Sequence, residues 1–208
     1  LGVGDWALEV LVLLGGFSRP GRFSEVLEIS PFPKGTLYRL FQTLTNQGML
    51  AFDPDRQTYS LGVRLVRLAH AAWQQSSLAP IARSYVDALS QSTGETVHLA
   101  QLDHAQVLYL DKRNALDPIE MYSQAGKVGP AYCTGVGKAM LAFMDDEQIS
   151  QIISHKSFHQ FTINTLISES ELRAVLCDIR SNGVGMDREE HEPGIICIAA
   201  PILTPRGR

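Results

Sequence analysis

Residues 33–61, PKGTLYRLFQTLTNQGMLAFDPDRQTYSL, spell a helix that runs directly into a short hairpin. Pro33 suits a first helical position and pushes Phe32 out of helical geometry, while Gly48 supplies a left-handed stop at the other end. Between them Leu37, Leu40, Phe41 and Leu44 fall at i, i+3, i+4 and i+7, which predicts a buried stripe. Gly35, Tyr38, Arg39, Gln42 and Asn46 are left on the opposite side. Tyrosine, arginine, glutamine and asparagine are side chains that reach phosphates and base edges.

A solvated helix face with one arginine has the same composition, so the order of elements decides. A shorter helical pattern at 23–29 precedes the stretch, separated from it by Ser30-Pro31-Phe32. Two helices across so short a turn read as a helix-turn-helix. The hairpin predicted from residues 49–52 and 57–61, around Asp53-Pro54-Asp55-Arg56, then reads as a wing whose tip brings Arg56 toward a phosphate backbone. Upstream, Trp6 to Leu14 reads as a buried helix ending at Gly15-Gly16.

The 208 residues suffice for two modest domains, and the pattern changes near residue 61. Residues 1–75 hold seven Lys plus Arg against six Asp plus Glu. The remainder holds eleven against sixteen, so +1 and −5 give the net −4. Nucleic-acid affinity must therefore come from a local arrangement of Arg19, Arg22, Lys34, Arg39 and Arg56 rather than from bulk charge. Cys133, Cys177 and Cys197 form no CxxC pair, which predicts neither a zinc site nor a disulfide scaffold and points to a reducing cytoplasm. No apolar run approaches the roughly 20 residues of a membrane span.

Beyond the hairpin, VRLVRLAHAAWQQ has helical spacing with Leu65, Leu68, Ala69 and Ala72 on one face, as expected of a linker helix. The following pattern predicts a helix at 78–90, strands at 96–102, 107–112 and 119–122, helices at 135–143, 146–154 and 169–181, and a final buried strand at 195–202. The expected division is a winged helix-turn-helix at 1–61, a linker helix at 62–76 and a mixed α+β domain at 77–208.

Two segments of that last domain stand out. GKVGPAYCTGVGKAMLAF places glycines and small residues at a helix start, where backbone N–H groups suit a small anion such as a carboxylate. It lacks the glycine spacing of a phosphate loop, and a tight helix entry needs small residues too. GMDREEHEPGIICIAAP reads as a solvated acidic loop, a turn at Pro193-Gly194 and a strand. Cys133 or Cys197 with His98 or His191 as a thiol-imidazole pair, and Asp187, Glu189, Glu190 and His191 as a metal cluster, are weaker readings, since no spacing fixes either geometry. A thiol-dependent hydrolase with an N-terminal docking module is the competing class of function, and a ligand-free architectural DNA binder is a third.

Several motifs occur together in one order: FPKGTLYRLFQTLTNQGML, YSLGVRLVRLA, TGETVHLAQLD, YSQAGKVGPAYCTGVGKAMLAF and DREEHEPGIICIAAPI. In this the chain resembles the IclR-type transcriptional regulators, the isocitrate lyase regulator family, over nearly its whole length. The resemblance implies a winged helix-turn-helix, a linker helix that helps dimerise, and a GAF-like effector-binding domain with an antiparallel sheet and helices. It carries DNA contact to Lys34, Gly35, Thr36, Tyr38 and Arg39, with Gln42 and Arg56 added from the exposed helix face and the hairpin tip. Gly35 stands where serine is usual. Gly129, Gly135 and Val136 match the loop lining the family's pocket, and Asp187 and Cys197 match its ligand-contacting aspartate and cysteine. The implied partners are a palindromic duplex operator, a small organic acid (a keto acid, a sugar-derived keto acid or a hydroxylated aromatic acid) and a second subunit, with a dimer of dimers beyond it. No cofactor, metal or membrane is implied. A further strand is expected after Arg208, so the effector domain is expected to lack its C-terminal end.

Overall fold

The computed structural model describes residues 2–75, 78–103, 105–119, 121–154 and 158–204. It divides into two compact units, Leu1–Ser77 and Leu78–Arg208.

In the first unit, α1 (Val3–Gly15), α2 (Phe23–Ile29) and α3 (Lys34–Asn46) enclose a core of Val10, Leu14, Val26, Leu37, Leu40, Phe41, Leu44 and Leu50. All four apolar positions of the α3 stripe are buried, Leu37 completely. Burying side chains of this size stabilises by about 1.5–3 kcal/mol each, which fixes the rotation of α3 and hence which face looks outward. Pro33 sits one position earlier than the sequence reading placed it, as the extended residue capping the helix. Gly48, at φ 67°, ends it. The Met49 N–H donates to the Leu44 carbonyl at 2.8 Å and the Gly48 N–H to the Thr45 carbonyl at 2.9 Å, so the last-turn carbonyls are satisfied.

The hairpin follows as β1 (Leu50–Asp53) and β2 (Thr58–Leu61), antiparallel with Phe52 opposite Tyr59. Its tip is tied by the Asp53 carboxylate, which accepts from the Asp55 and Arg56 N–H groups, and Gln57 takes a left-handed φ of 54°. Tyr59 also bridges Gly21 through two backbone hydrogen bonds and stacks edge-on against Phe41, anchoring the hairpin on the core. Then comes α4 (Val63–Gln75). Its entry is fixed at Gly62, whose N–H donates to the Met49 carbonyl. A Cβ there would stand 2.2 Å from the Gly48 oxygen, so only glycine fits. None of the thirteen α4 residues is buried, and Val63, Val66, Leu68 and Trp73 are exposed.

The second unit places α5 (Leu78–Thr93), through Ala79, Ala82 and Val86, against Leu99 of a three-stranded antiparallel sheet. That sheet comprises β3 (Val97–Asp103), β4 (Gln106–Arg113) and β5 (Val128–Pro130), with a bulge between Leu99 and Ala100. On β4, Val107 and Tyr109 join the core that α6 (Gly135–Leu141), α7 (Asp146–Ser154) and α8 (Glu169–Asn182) complete with Leu141, Ile149, Leu172, Leu176 and Ile179. Antiparallel β6 (Gly185–Arg188) and β7 (Ile196–Ala199) form a separate pair.

Three expectations are corrected here. Ile119, Met121 and Tyr122 are not in a strand; Glu120 lies outside the described residues. The partner of β4 is instead β5, whose Gly129 and Pro130 have low strand propensity and pair at a sheet edge. The supposed acidic loop opens with a strand, β6, and its Asp187 and Glu190 are buried rather than solvated. The last strand is shorter than expected and not wholly buried, since Ile196 and Ile198 are 64 % and 73 % exposed.

Candidate functional site

The first site is the outer face of α3. Lys34, Gly35, Tyr38, Arg39 and Gln42 are exposed and Thr36 is half-buried. Tyr38 keeps half its surface free although its ring meets Phe23 of α2 edge-on at 6.1 Å, and its hydroxyl accepts from the Gln42 amide at 3.1 Å. The Arg39 guanidinium reaches back to the Gly35 carbonyl at 3.3 Å, a weak contact that leaves its other donors for a ligand. A Cβ at Gly35 would meet nothing within 4 Å, so this position is open. Arg56 is exposed at the hairpin tip. Five polar or basic side chains thus share the two elements that project from the apolar core. Arg19, by contrast, is paired with Glu25, whose carboxylate also accepts from the Arg22 N–H and is held down to about 2 by those contacts. Arg64 is committed to the Gln47 carbonyl and side chain, tying α4 to the end of α3.

The second site lies in the second unit. A Cβ on Gly135 would stand 3.4 Å from the Asp187 nitrogen and 3.4 Å from the Cys197 Cβ, so the start of α6 abuts the β6–β7 pair where Asp187 and Cys197 face each other in register. A Cβ on Gly129 would meet the Tyr109 ring at 3.5 Å and the Thr134 methyl at 3.9 Å. The structure therefore brings Gly129, Gly135, Asp187 and Cys197 around Tyr109 and Thr134. Val136 packs against the core behind the helix start. The helix start is partly spoken for, because the Thr134 hydroxyl accepts from the Gly137 N–H.

Sequence reasoning missed the residues that hold this arrangement. Lys138, 1 % exposed, donates to the Glu190 carboxylate, whose second oxygen is buried with no partner among the described residues. The Glu190 N–H donates to Asp187 Oδ1 at 2.7 Å, and Thr165 donates to the Glu190 carbonyl at 2.6 Å. Burial pushes the Asp187 carboxyl above its ordinary range, against the pull of the N–H groups it accepts. His98 bonds Ser123 and lies edge-on to Tyr109 at 5.4 Å, with its pKa lowered by burial. Tyr109 shares the inward face of β4 with Val107, but the run VLYLDK has no apolar-polar alternation to mark that face in the sequence.

Burial also pushes the Cys197 thiol up to about 11 and the Cys133 thiol up to about 12, each further raised by Asp187. Such thiols stay protonated near neutral pH and are poor nucleophiles, so the thiol-hydrolase reading finds no support. Among the described residues no group of three or more His, Cys, Asp or Glu is placed to hold a metal ion. Among them, too, no helix is long and apolar enough to cross a membrane.

Residues 70–208 match the family described as the bacterial transcriptional regulator IclR C-terminal domain, and residues 5–54 match the IclR helix-turn-helix domain. The chain belongs to the IclR family. It is 36 % identical over 170 residues to the HTH-type transcriptional regulator KdgR of Dickeya chrysanthemi, covering 82 % of this chain and 56 % of that protein. The chain thus spans little more than half the length of that relative. The crystal structure of the Thermotoga maritima IclR is 27 % identical, with a TM-score of 0.71 over 97 % of this chain and 81 % of that one. The fold is shared as well with an IclR homolog from Microbacterium hydrocarbonoxydans complexed with 4-hydroxybenzoate, at 21 % identity and a TM-score of 0.83, covering 98 % and 84 %.

Proposed function

We propose that the chain is a ligand-responsive transcriptional regulator that acts in the cytoplasm as a homodimer, with dimers pairing further, on a palindromic duplex operator. The observation that carries the reading is the outer face of α3: a helix buried on one side to the last apolar position, second in a helix-turn-helix, presents Lys34, Thr36, Tyr38, Arg39 and Gln42 outward. Two such helices from a dimer enter successive major grooves about 10 base pairs apart, with Arg56 of each wing on the backbone. The apolar exposed residues of α4 supply a surface for the second subunit.

In the second unit, Gly129, Gly135, Val136, Asp187 and Cys197 form the effector site, and the ligand is a small organic acid. The Microbacterium protein's complex with 4-hydroxybenzoate supports this class of ligand for the fold. Asp187, buried and acting as an acceptor, suits a ligand hydroxyl or hydrated carbonyl.

Two measurements test the reading. Fluorescence anisotropy with duplexes selected from a random pool is expected to give log affinity falling with log salt at a slope near −7, if a dimer neutralises about eight phosphates. Arg39→Ala weakens selection for bases as well as affinity, whereas Arg56→Ala weakens all duplexes alike. Salt-independent binding, or an Arg39→Ala variant that binds as the wild type does, contradicts the proposal. A thermal-shift screen of small organic acids tests sensing, since a ligand at a hundredfold excess over Kd stabilises by about 2.7 kcal/mol.

A further inference from the structure

Tyr109 is 93 % buried (7 % exposed), and among the described residues its hydroxyl makes no hydrogen bond. Among the described residues the buried side-chain oxygens left without a partner are those of Thr45 and Glu190; the Tyr109 hydroxyl is not one of them, so the tip of this mostly buried ring stays open to an incoming ligand atom. The strand that carries the ring is pinned. Its backbone is fixed on both sides, the Tyr109 N–H donating to the Lys127 carbonyl at 3.0 Å and its carbonyl accepting from Gly126 at 2.8 Å, and His98 lies edge-on to the ring.

The hydroxyl stands at the effector site. It would lie 3.8 Å from a Cβ on Gly129, which would also touch Thr134, and the next residue, Gly135, abuts Asp187 and Cys197. We propose that Tyr109 is a binding residue of that site, its hydroxyl donating a hydrogen bond to a ligand oxygen. Asp187 accepts a hydrogen bond from the same ligand group. A donor and an acceptor converging on one point match an alcohol, a phenol or a hydrated carbonyl, each of which gives one hydrogen bond and takes another. The site then selects hydroxylated acids over their deoxy counterparts. Burial, with Cys197 and Asp187 nearby, keeps the phenol protonated and so available as the donor. Gly129 contributes by leaving the hydroxyl uncovered.

This inference rests on the effector-binding reading given above, and the test separates the two. Matched pairs of probes, 4-hydroxybenzoate with benzoate and lactate with propionate, are titrated calorimetrically against the full chain, Tyr109→Phe and Asp187→Asn. The wild type is expected to bind the hydroxylated member of a pair about 5- to 30-fold more tightly, the worth of one to two hydrogen bonds in a buried site. Tyr109→Phe abolishes most of that ratio, leaves the deoxy member's affinity as it was, and melts at the wild-type temperature because the lost hydroxyl makes no hydrogen bond among the described residues of the unliganded protein. Full discrimination retained by Tyr109→Phe, or a marked loss of its stability, overturns the role of Tyr109 while the effector site stands. If neither pair binds the wild type up to millimolar concentration, or Asp187→Asn binds both members unchanged, the effector reading itself fails and this inference with it.

Discussion

Replacing Lys138 by methionine is the most demanding test of how the second unit holds its site. The four-carbon stem of lysine is completely buried, and methionine fills nearly the same volume, so the cavity left is small. What changes is the charge: the Glu190 carboxylate, with its side chain 10 % exposed, loses the ammonium that neutralises it, and one of its oxygens already has no partner among the described residues. Removing one member of a buried pair costs about 3–5 kcal/mol because the other charge stays in a low-dielectric site. For a unit of this size that lowers the melting temperature by about 10–20 °C. Glu190→Gln is milder, because its amide oxygen still accepts from the ammonium. In the double variant, much of the cost of Lys138→Met is recovered, giving a coupling energy of about 1–3 kcal/mol. Both tryptophans, Trp6 and Trp73, lie in the first unit, so the transition has to be followed by far-UV circular dichroism and by amide exchange across residues 187–192. A cost for Lys138→Met below about 1 kcal/mol, or strictly additive single and double variants, would refute the argument that this pair pins the turn.

Gly62→Ala is expected to destabilise the first unit by several kcal/mol in urea unfolding, since its methyl overlaps the Gly48 oxygen and the backbone at Met49, neither of which can move without opening the α3 terminus. Gly35→Ser goes the other way: the site is open and helical, so stability holds or rises slightly, and the added hydroxyl, able to donate to a phosphate, tightens DNA binding without changing its salt slope because a neutral group releases no counterion, read by anisotropy. Iodoacetamide near neutral pH is expected to label the exposed Cys177 first, with the Cys197 rate rising about tenfold per pH unit toward 11, as peptide mass spectrometry can follow. The raised thiols of Cys133 and Cys197 make the fold sensitive to alkali. The unfolded chain loses their protons near 9 and the folded one near 11 and 12, so their stabilising contribution is complete below pH 9 and fades progressively above it in a melting series.

The first unit was legible almost residue by residue because its signals are local. Stripe, proline entry and glycine exit are written within one turn of where they act, and the helix 23–29 has the predicted ends. The second unit was legible as a class but not in its details. Its long helices carry their own periodicity, whereas β5 and β6, at VGP and GMDR, are strands only because β4 and β7 supply their hydrogen bonds. Ile119, Met121 and Tyr122 show the converse: residues with strand composition that, among the described residues, pair with no strand. Glu190 was misjudged, and Lys138 passed over, for the same reason. Charged residues read as solvated unless a partner 52 positions away neutralises them, and no local spacing encodes that.

The polar parts of the proposed effector site are linked by short contacts that a ligand at Asp187 would feel together. The Asp187 carboxylate accepts from the Glu190 N–H, Glu190 is anchored by Lys138 and Thr165, and Glu189 keeps a left-handed φ of 58° that few non-glycine residues adopt. Burial already strains this carboxylate toward its protonated form, so a ligand hydroxyl that donates to it supplies what the site lacks and tightens the whole turn. Regulation requires more than tight binding: a ligand that fits two arrangements of the turn equally well shifts neither. On the proposed reading, the coupling comes from a turn that holds Asp187 differently when the ligand is present. The Lys138–Glu190 pair sets the energy scale of that difference, because it is the contact that a rearranged turn would have to break or keep.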